Sequence, residues 1–178
     1  MYFLLISASL NKKSRSFVLA RTALEMFQAQ HKKAELIDLR DYDLPLCDAG
    51  AAFGHAQVVE IKQKIEQATA IIVSAPVYNY DMNAALKNIY DLTGSAWEGK
   101  LVGLMAVGGG KGSYMAPMNF LNGLMLNARC LIVPRYVYAL EQDIEGRELK
   151  NEEIRTRIQH LVRQTINLSE KLFPPEPL

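Results

Sequence analysis

Cysteine is scarce in this chain of 178 residues, and the two present, Cys47 and Cys130, stand far apart with no CxxC spacing. That excludes a disulfide framework and a cysteine zinc site, and a reducing compartment fits best. Histidine is sparse and unpatterned: His31, His55 and His160 show no HExxH or paired-ligand spacing, so no metal centre is expected. Excess charge is missing as well. Twenty Lys plus Arg against nineteen Asp plus Glu leave +1, which supplies no long-range field for gathering nucleic acid or an anionic membrane. No apolar run approaches the roughly 20 residues of a membrane helix. The opening run Met1-Tyr-Phe-Leu-Leu-Ile-Ser lacks both the basic flank and the small-residue cleavage site of a secretory leader, and reads as a strand. A cytoplasmic protein with neither nucleic acid nor membrane as partner is expected.

Several catalytic signatures are absent too. There is no G-x-S-x-G elbow, and Cys47 has no neighbouring histidine base. Gly94-Ser-Ala-Trp-Glu-Gly-Lys100 matches most of a Walker loop, but Leu101 replaces the hydroxyl residue and the segment leads into a strand instead of out of one. No internal repeat or Pro/Gly linker divides the chain. With about 150 residues per domain as a prior, residues 1–173 are expected to form one domain, with 174–178 a short Pro-rich tail.

What is present is alternation. Apolar runs at Tyr2–Ser7, Ala34–Leu39, Thr69–Ala75, Leu101–Val107 and Cys130–Val133 read as five strands. The first, third and fourth are apolar nearly throughout, as parallel strands covered on both faces are. Between and after them, helical spacing recurs at Arg15–Gln30, His55–Gln67, Asn83–Leu92, Met115–Asn127 and Asn151–Leu172. Strictly alternating elements joined by right-handed crossovers make an α/β doubly wound parallel sheet with helices on both faces. Ligands of such sheets bind at the carboxyl ends of the strands where strand order reverses, which directs attention to three loops.

The first loop, Ser7-Ala-Ser-Leu-Asn-Lys-Lys-Ser-Arg-Ser16, offers hydroxyls, an amide, cations and the free N–H groups of a helix start, a donor set suited to phosphate. The plainer alternative is that Ser14 merely caps the helix, but the loop's place at the carboxyl edge of the sheet puts phosphate binding ahead. The loop after the third strand holds Pro76-Val-Tyr-Asn79, with aromatic rings that suit a flat ligand, although Tyr-Asn is also an ordinary turn pair. The third, Val107-Gly-Gly-Gly-Lys-Gly-Ser113, lets a ligand approach the backbone closely or simply connects two elements.

These residues resemble the NAD(P)H-dependent FMN reductase family of flavodoxin-like proteins, which includes flavin, quinone, azo-dye and chromate reductases. Ser9-Leu-Asn-Lys-Lys-Ser-Arg-Ser16 is similar to the family's G-S-x-R-x-x-S-x-N phosphate loop, and Pro76-Val-Tyr-Asn79 with Leu86-Lys-Asn88 is similar to P-x-Y-N followed by L-K-N. Gly108–Gly112 corresponds to its third flavin loop. The resemblance implies a flavodoxin-like five-stranded sheet of order 2-1-3-4-5. It implies that Ser9, Asn11, Ser14, Arg15 and Ser16 surround an FMN phosphate, that Pro76, Val77, Tyr78 and Asn79 line the isoalloxazine ring, and that Gly108, Gly109, Gly110 and Ser113 lie at its other side.

The implied activity is hydride transfer from NADPH or NADH to FMN, then electron transfer to a flavin, quinone or similar small acceptor in ping-pong order, by a homodimer or homotetramer. No side chain is named as catalytic, since the chemistry is the flavin's. The alternative is a flavodoxin-like electron carrier or a flavin-free regulatory relative. The chain departs from the pattern at Ala8 for Gly, Asn11 for Arg and Ser16 for Asn, leaving Lys12, Lys13 or Arg15 to replace the missing phosphate cation.

Overall fold

Adjacent residues of a strand point to opposite faces of its sheet, so a run such as Phe3-Leu-Leu-Ile6 is stable only where both faces are covered. The computed structural model, which describes residues 1–174, covers them in this way. The element order is β1 (Tyr2–Ser7), α1 (Arg15–Ala29), β2 (Lys33–Asp38), α2 (Ala56–Gln67), β3 (Ala70–Tyr78), β4 (Asp81–Met82), α3 (Ala84–Thr93), β5 (Leu101–Gly108), α4 (Pro117–Ala128), β6 (Leu131–Ile132), β7 (Val137–Leu140), β8 (Ile144–Glu145), β9 (Glu148–Leu149) and α5 (Glu152–Leu172). Residues 175–178, most of the expected tail, lie outside the described residues.

The central sheet runs β2-β1-β3-β5, with β6 and β7 successively beside β5 and every one of these pairings parallel. Counting β6 and β7 as one position, this is the expected order 2-1-3-4-5. Phe3, Leu5, Ile72 and Met105 pack beneath α1 and α5. Leu4, Ile6, Ile71, Val73 and Leu104 face the other way, beneath α2, α3 and α4. On that second face Trp97 is fully buried, and its Nε1 donates to Thr93 Oγ1 at 2.9 Å, satisfying the one polar atom of the indole.

Three features correct the sequence reading. The fifth strand does not stop at Val133. Val102 pairs with Ile132 and Met105 with Val137, so five steps on the outer strand match three on β5. The two extra residues form a bulge where Pro134 has no N–H to give and Arg135 takes φ +61°. The strand then resumes as β7 and carries the chain on to the carboxyl edge.

Likewise β3 does not end at Ala75. Pro76 stays in register with Val107, and Val77 and Tyr78 fold back on β4. The connecting Asn79 and Tyr80 both have positive φ, 51° and 62°, as the central pair of a type I′ hairpin turn does. Residues expected in a loop are thus held on a strand and a tight turn. The third departure is an antiparallel ribbon, β8–β9, turning at Gly146 with φ +58°, in a stretch whose sequence predicts no strand.

Candidate functional site

Loop one leaves β1 already tethered. Ala8 N donates to Ser74 O at 2.9 Å, one step past the last paired residue. Asn83, 3% exposed, donates from Nδ2 to Ala8 O at 2.7 Å and from its backbone N to Pro76 O at 3.2 Å. A buried amide at the start of α3 therefore holds the exits of two strands together. Its Oδ1 is buried without a partner.

Within the loop, hydrogen bonds fix the path into α1. Ser14 N donates to Asn11 O at 2.9 Å, and Lys13 N donates to Asn11 Oδ1 at 2.8 Å. The Asn11 carboxamide oxygen is thus engaged in the turn, as the oxygen of a short Asx side chain commonly is. Ser14 caps α1 by accepting from Phe17 N at 3.0 Å, and its Oγ lies 3.1 Å from Ser16 Oγ. Ser74 Oγ donates to Ser16 O at 2.7 Å and fixes the first turn of α1 onto the sheet. Ser14 thus both caps the helix and borders the crevice.

That crevice, about 90 Å³, opens at the carboxyl edge of the sheet between the ends of β1, β3 and β5. Loop one supplies Ser9, Asn11, Ser14, Arg15 and Ser16, β3 supplies Pro76, Val77 and Tyr78, and the end of β5 supplies Val107 and Gly109. Two further residues complete it. Lys13 stands in the wall, whereas Lys12 does not. Glu141, directly after β7, also lines it and holds Arg15 Nη1 at 3.3 Å. Arg15 is therefore a paired cation, and Lys13 has no carboxylate within 4.0 Å among the described residues. Glu141 escapes the sequence reading because the fifth strand reads as ending at Val133, well short of this edge.

Asn79, Gly108, Gly110 and Ser113 do not line the crevice. Asn79 occupies the β3–β4 turn. Gly108 is buried at the end of β5, and a Cβ there would meet Tyr138 Oη at 2.0 Å, so glycine is required by the phenol beside it. Tyr138 Oη donates to Gly110 O at 2.7 Å and borders Ser113; burial raises this phenol above the ordinary tyrosine value and the Ser113 contact opposes the rise. A Cβ placed on Gly109 or Gly110 would meet no other atom within 4 Å, so this bare stretch of backbone faces outward. The tip of the β3–β4 hairpin reaches the same loop: Tyr80 Oη lies 3.7 Å from where a Gly112 Cβ would sit. Tyr78 itself is half exposed.

Asn88 of the L-K-N match serves the fold instead. Its Oδ1 accepts from Cys47 N and its Nδ2 donates to Pro45 O, each at 2.9 Å, which pins the segment before α2 to α3. Among the described residues no three His, Cys, Asp or Glu side chains gather as a metal site. No described helix is long and apolar enough to cross a membrane.

The model of the NADPH-dependent FMN reductase family matches residues 1–145, from β1 through β8 and so through all three strand-end loops. The chain belongs to that family. An NADH-dependent FMN reductase, SfnF, of Pseudomonas fluorescens is 32% identical over 153 residues, covering 83% of this chain and 80% of its own. An NADPH azoreductase of a Bacillus species is 29% identical over 140 residues, covering 77% and 75%. Among solved structures, the flavoenzyme NAD(P)H:(acceptor) oxidoreductase FerB of Paracoccus denitrificans superimposes with a TM-score of 0.76 at 21% identity, covering 96% of this chain and 97% of that one. At that identity the last likeness speaks for the fold. By family, the chain is an oxidoreductase.

Proposed function

We propose that this protein is an FMN-dependent NAD(P)H reductase whose crevice receives the FMN phosphate. The observation that carries the reading is the convergence of loop one, the end of β3 and the end of β5 on one crevice at the carboxyl edge of a parallel sheet. The donors present fit a phosphate. Ser9 and Ser16 are buried hydroxyl residues, Lys13 is an ammonium free of carboxylates among the described residues, and α1 begins here with its N–H groups. The volume fits too, since about 90 Å³ equals about three water volumes at ~30 Å³ each. It is far too small for a tricyclic ring, so we place the ring outside, on the shelf formed by Pro76–Tyr78 and the bare Gly109–Gly110 backbone.

The redox chemistry is that of bound FMN: a hydride accepted from NADPH or NADH, and two electrons passed on to a flavin, quinone or similar small acceptor. The chain's part is to hold and orient. Ser9, Ser14, Ser16 and Lys13 fix the phosphate, while Arg15 takes up the charge of Glu141 that would otherwise repel it. Tyr138 holds the glycine backbone through Gly110 O, so that its N–H groups are fixed relative to β5. A shelf this open would leave room for nicotinamide and acceptor in turn, the ping-pong order we propose, and we extend the reading to a homodimer or homotetramer.

The test is steady-state oxidation of NADPH and of NADH with added FMN and a quinone. The reading predicts FMN-dependent turnover with parallel double-reciprocal plots. A rate no higher than the uncatalysed one refutes it and favours the flavin-free binding relative, the alternative that the weakened cation set of loop one supports.

A further inference from the structure

The last helix changes character along its length. At its start α5 pairs acid with base, Glu152 with Arg155 and Glu153 with Arg157, but from Ile154 to Ser169 it carries no Asp or Glu. Over that stretch Arg157, His160, Gln164 and Asn167 recur at steps of three and four residues and so share one side of the helix. They form one wall of a cavity of about 550 Å³, a volume suited to a small ligand. The facing wall is the bulge between β6 and β7, together with Tyr114 just past the glycine run.

Charge in this cavity has one sign. Arg135, Arg157, Arg163 and His160 line it, and no Asp or Glu does. Of the three arginines only Arg157 has a carboxylate, Glu153, whereas Arg135 and Arg163 have none among the described residues. The bulge is what brings Arg135 here. Two extra residues on the outer strand set it at φ +61°, a backbone conformation rarely held by residues other than Gly, Asn or Asp. A turn alone is made with less strain by glycine or asparagine, but a guanidinium at this point adds a cation across from α5. Cations gathered in this way repel one another, and a multivalent anion relieves that repulsion.

Two aromatic planes complete the lining. The rings of Tyr114 and Tyr136 lie 5.0 Å apart and tilted by 33°, and Tyr114 is half exposed. A flat ring stacks on such surfaces and on guanidinium planes, while acid groups take the donor forks of Arg135 and Arg163. A bare inorganic anion makes no use of the rings. The same wall is tied to the glycine loop, because Tyr136 Oη donates to Tyr114 O and, two residues on, Tyr138 Oη donates to Gly110 O. One strand thus holds both ends of the loop whose Gly109–Gly110 backbone belongs to the proposed ring shelf.

We propose that this cavity is an effector site for a flat organic polyanion, an aromatic acid with two or more carboxylate or sulfonate groups, and that its occupant steadies the glycine loop through Tyr114 and Tyr136. Binding is independent of the flavin; the effect through the loop rests on the reading of that shelf as the ring site. Calorimetric titration of the full chain with trimesate, with the ringless tricarboxylate tricarballylate and with benzoate tests it. Trimesate should bind more tightly than tricarballylate by about threefold or more, through ring stacking, and than benzoate by about tenfold or more, through its added charge-assisted contacts. In Arg135→Asn/Arg163→Gln, where asparagine suits the left-handed backbone, trimesate should weaken by about tenfold or more. Neither residue lines the crevice, so affinity for FMN without trimesate should not change. Saturating trimesate should tighten FMN by about fivefold. Tyr136→Phe, which keeps the ring and drops the hydroxyl, should remove that gain and leave trimesate bound.

Equal affinity for trimesate and tricarballylate would overturn the aromatic ligand class, and undiminished binding to the double variant would overturn the site. So would trimesate that weakens FMN, which would put it in the phosphate crevice, or a double variant of altered sedimentation, which would give the cations to a contact between copies of the chain. FMN unmoved by bound trimesate would overturn the link to the loop. If FMN does not bind, while trimesate does and the double variant loses it, the flavin reading falls and the anion site stands.

Discussion

Replacing Gly108 with Ala would set a methyl group 2.0 Å from Tyr138 Oη and 2.8 Å from its Cζ, far inside the ~3.5–4.0 Å optimum of a carbon contact. The phenol cannot swing aside cheaply. Tyr138 is 7% exposed, its backbone is paired with Ala106, and its ring lies edge-on to Tyr114 at 5.4 Å. Its Oη also donates to Gly110 O at 2.7 Å, a bond that the displaced ring would lose. Overpacking costs about 1–3 kcal/mol and the lost hydrogen bond about 1 kcal/mol, so Gly108→Ala should destabilise by about 2–4 kcal/mol. Urea denaturation measures this directly. Tyr138→Phe supplies the control, because it removes the oxygen at 2.0 Å and leaves the ring. In that background Gly108→Ala should cost less by about 1 kcal/mol or more, a coupling read from the double-mutant cycle. A Gly108→Ala protein within about 0.5 kcal/mol of wild type, or one with no coupling to position 138, would refute the packing argument.

Other consequences are equally open to measurement. Asn83→Ala leaves Ala8 O buried without its donor and should cost about 1–3 kcal/mol in urea denaturation while weakening FMN, since the loop it holds carries the phosphate donors; unchanged stability would remove its bracing role. Glu141→Gln takes a negative charge from the crevice rim and should tighten FMN by about two- to fivefold at low salt, with riboflavin unmoved and the gain shrinking as salt rises. An equal effect on riboflavin would contradict it. Burial pushes the Cys130 thiol up to about 11, with Sγ donating to Trp97 O at 3.1 Å. The folded state therefore favours the neutral thiol, and stability should fall as pH rises from about 9 to about 11, where only the unfolded chain ionises freely. At pH 8 a thiol reagent should reach Cys47 alone until the protein is unfolded; two fast native thiols would sink the assignment.

The fold is legible wherever burial on both faces leaves its mark on a run of residues, as in Phe3–Ile6 or Ile71–Val73. It is illegible where a local rule is broken and tertiary pairing overrides it. Pro134 reads as the end of a strand, yet the neighbouring β5 continues to offer partners, so the chain bulges and resumes at Val137. Pro76 reads as an exit from β3, yet its register with Val107 is kept. The ribbon at Ile144–Leu149 is too short to leave any periodic signal.

The candidate site divides the same way. Its loop-one half is visible because hydroxyls, an amide and cations are crowded into ten consecutive residues. Glu141 is not visible, because it meets its partner Arg15 from far along the sequence. The glycine run also carries a packing demand that its motif does not show: Gly108 leaves room for the Tyr138 phenol.

A crevice that holds a phosphate must distinguish a flavin that carries one from a flavin that does not. Parallel titrations of the protein with FMN and with riboflavin, followed by quenching of flavin fluorescence, test this with one chemical group as the only difference. Charge-assisted hydrogen bonds are each worth about 1.5–3 kcal/mol, so FMN should bind about tenfold or more tightly than riboflavin. Equal affinity for the two, or no quenching of FMN at all, would contradict it.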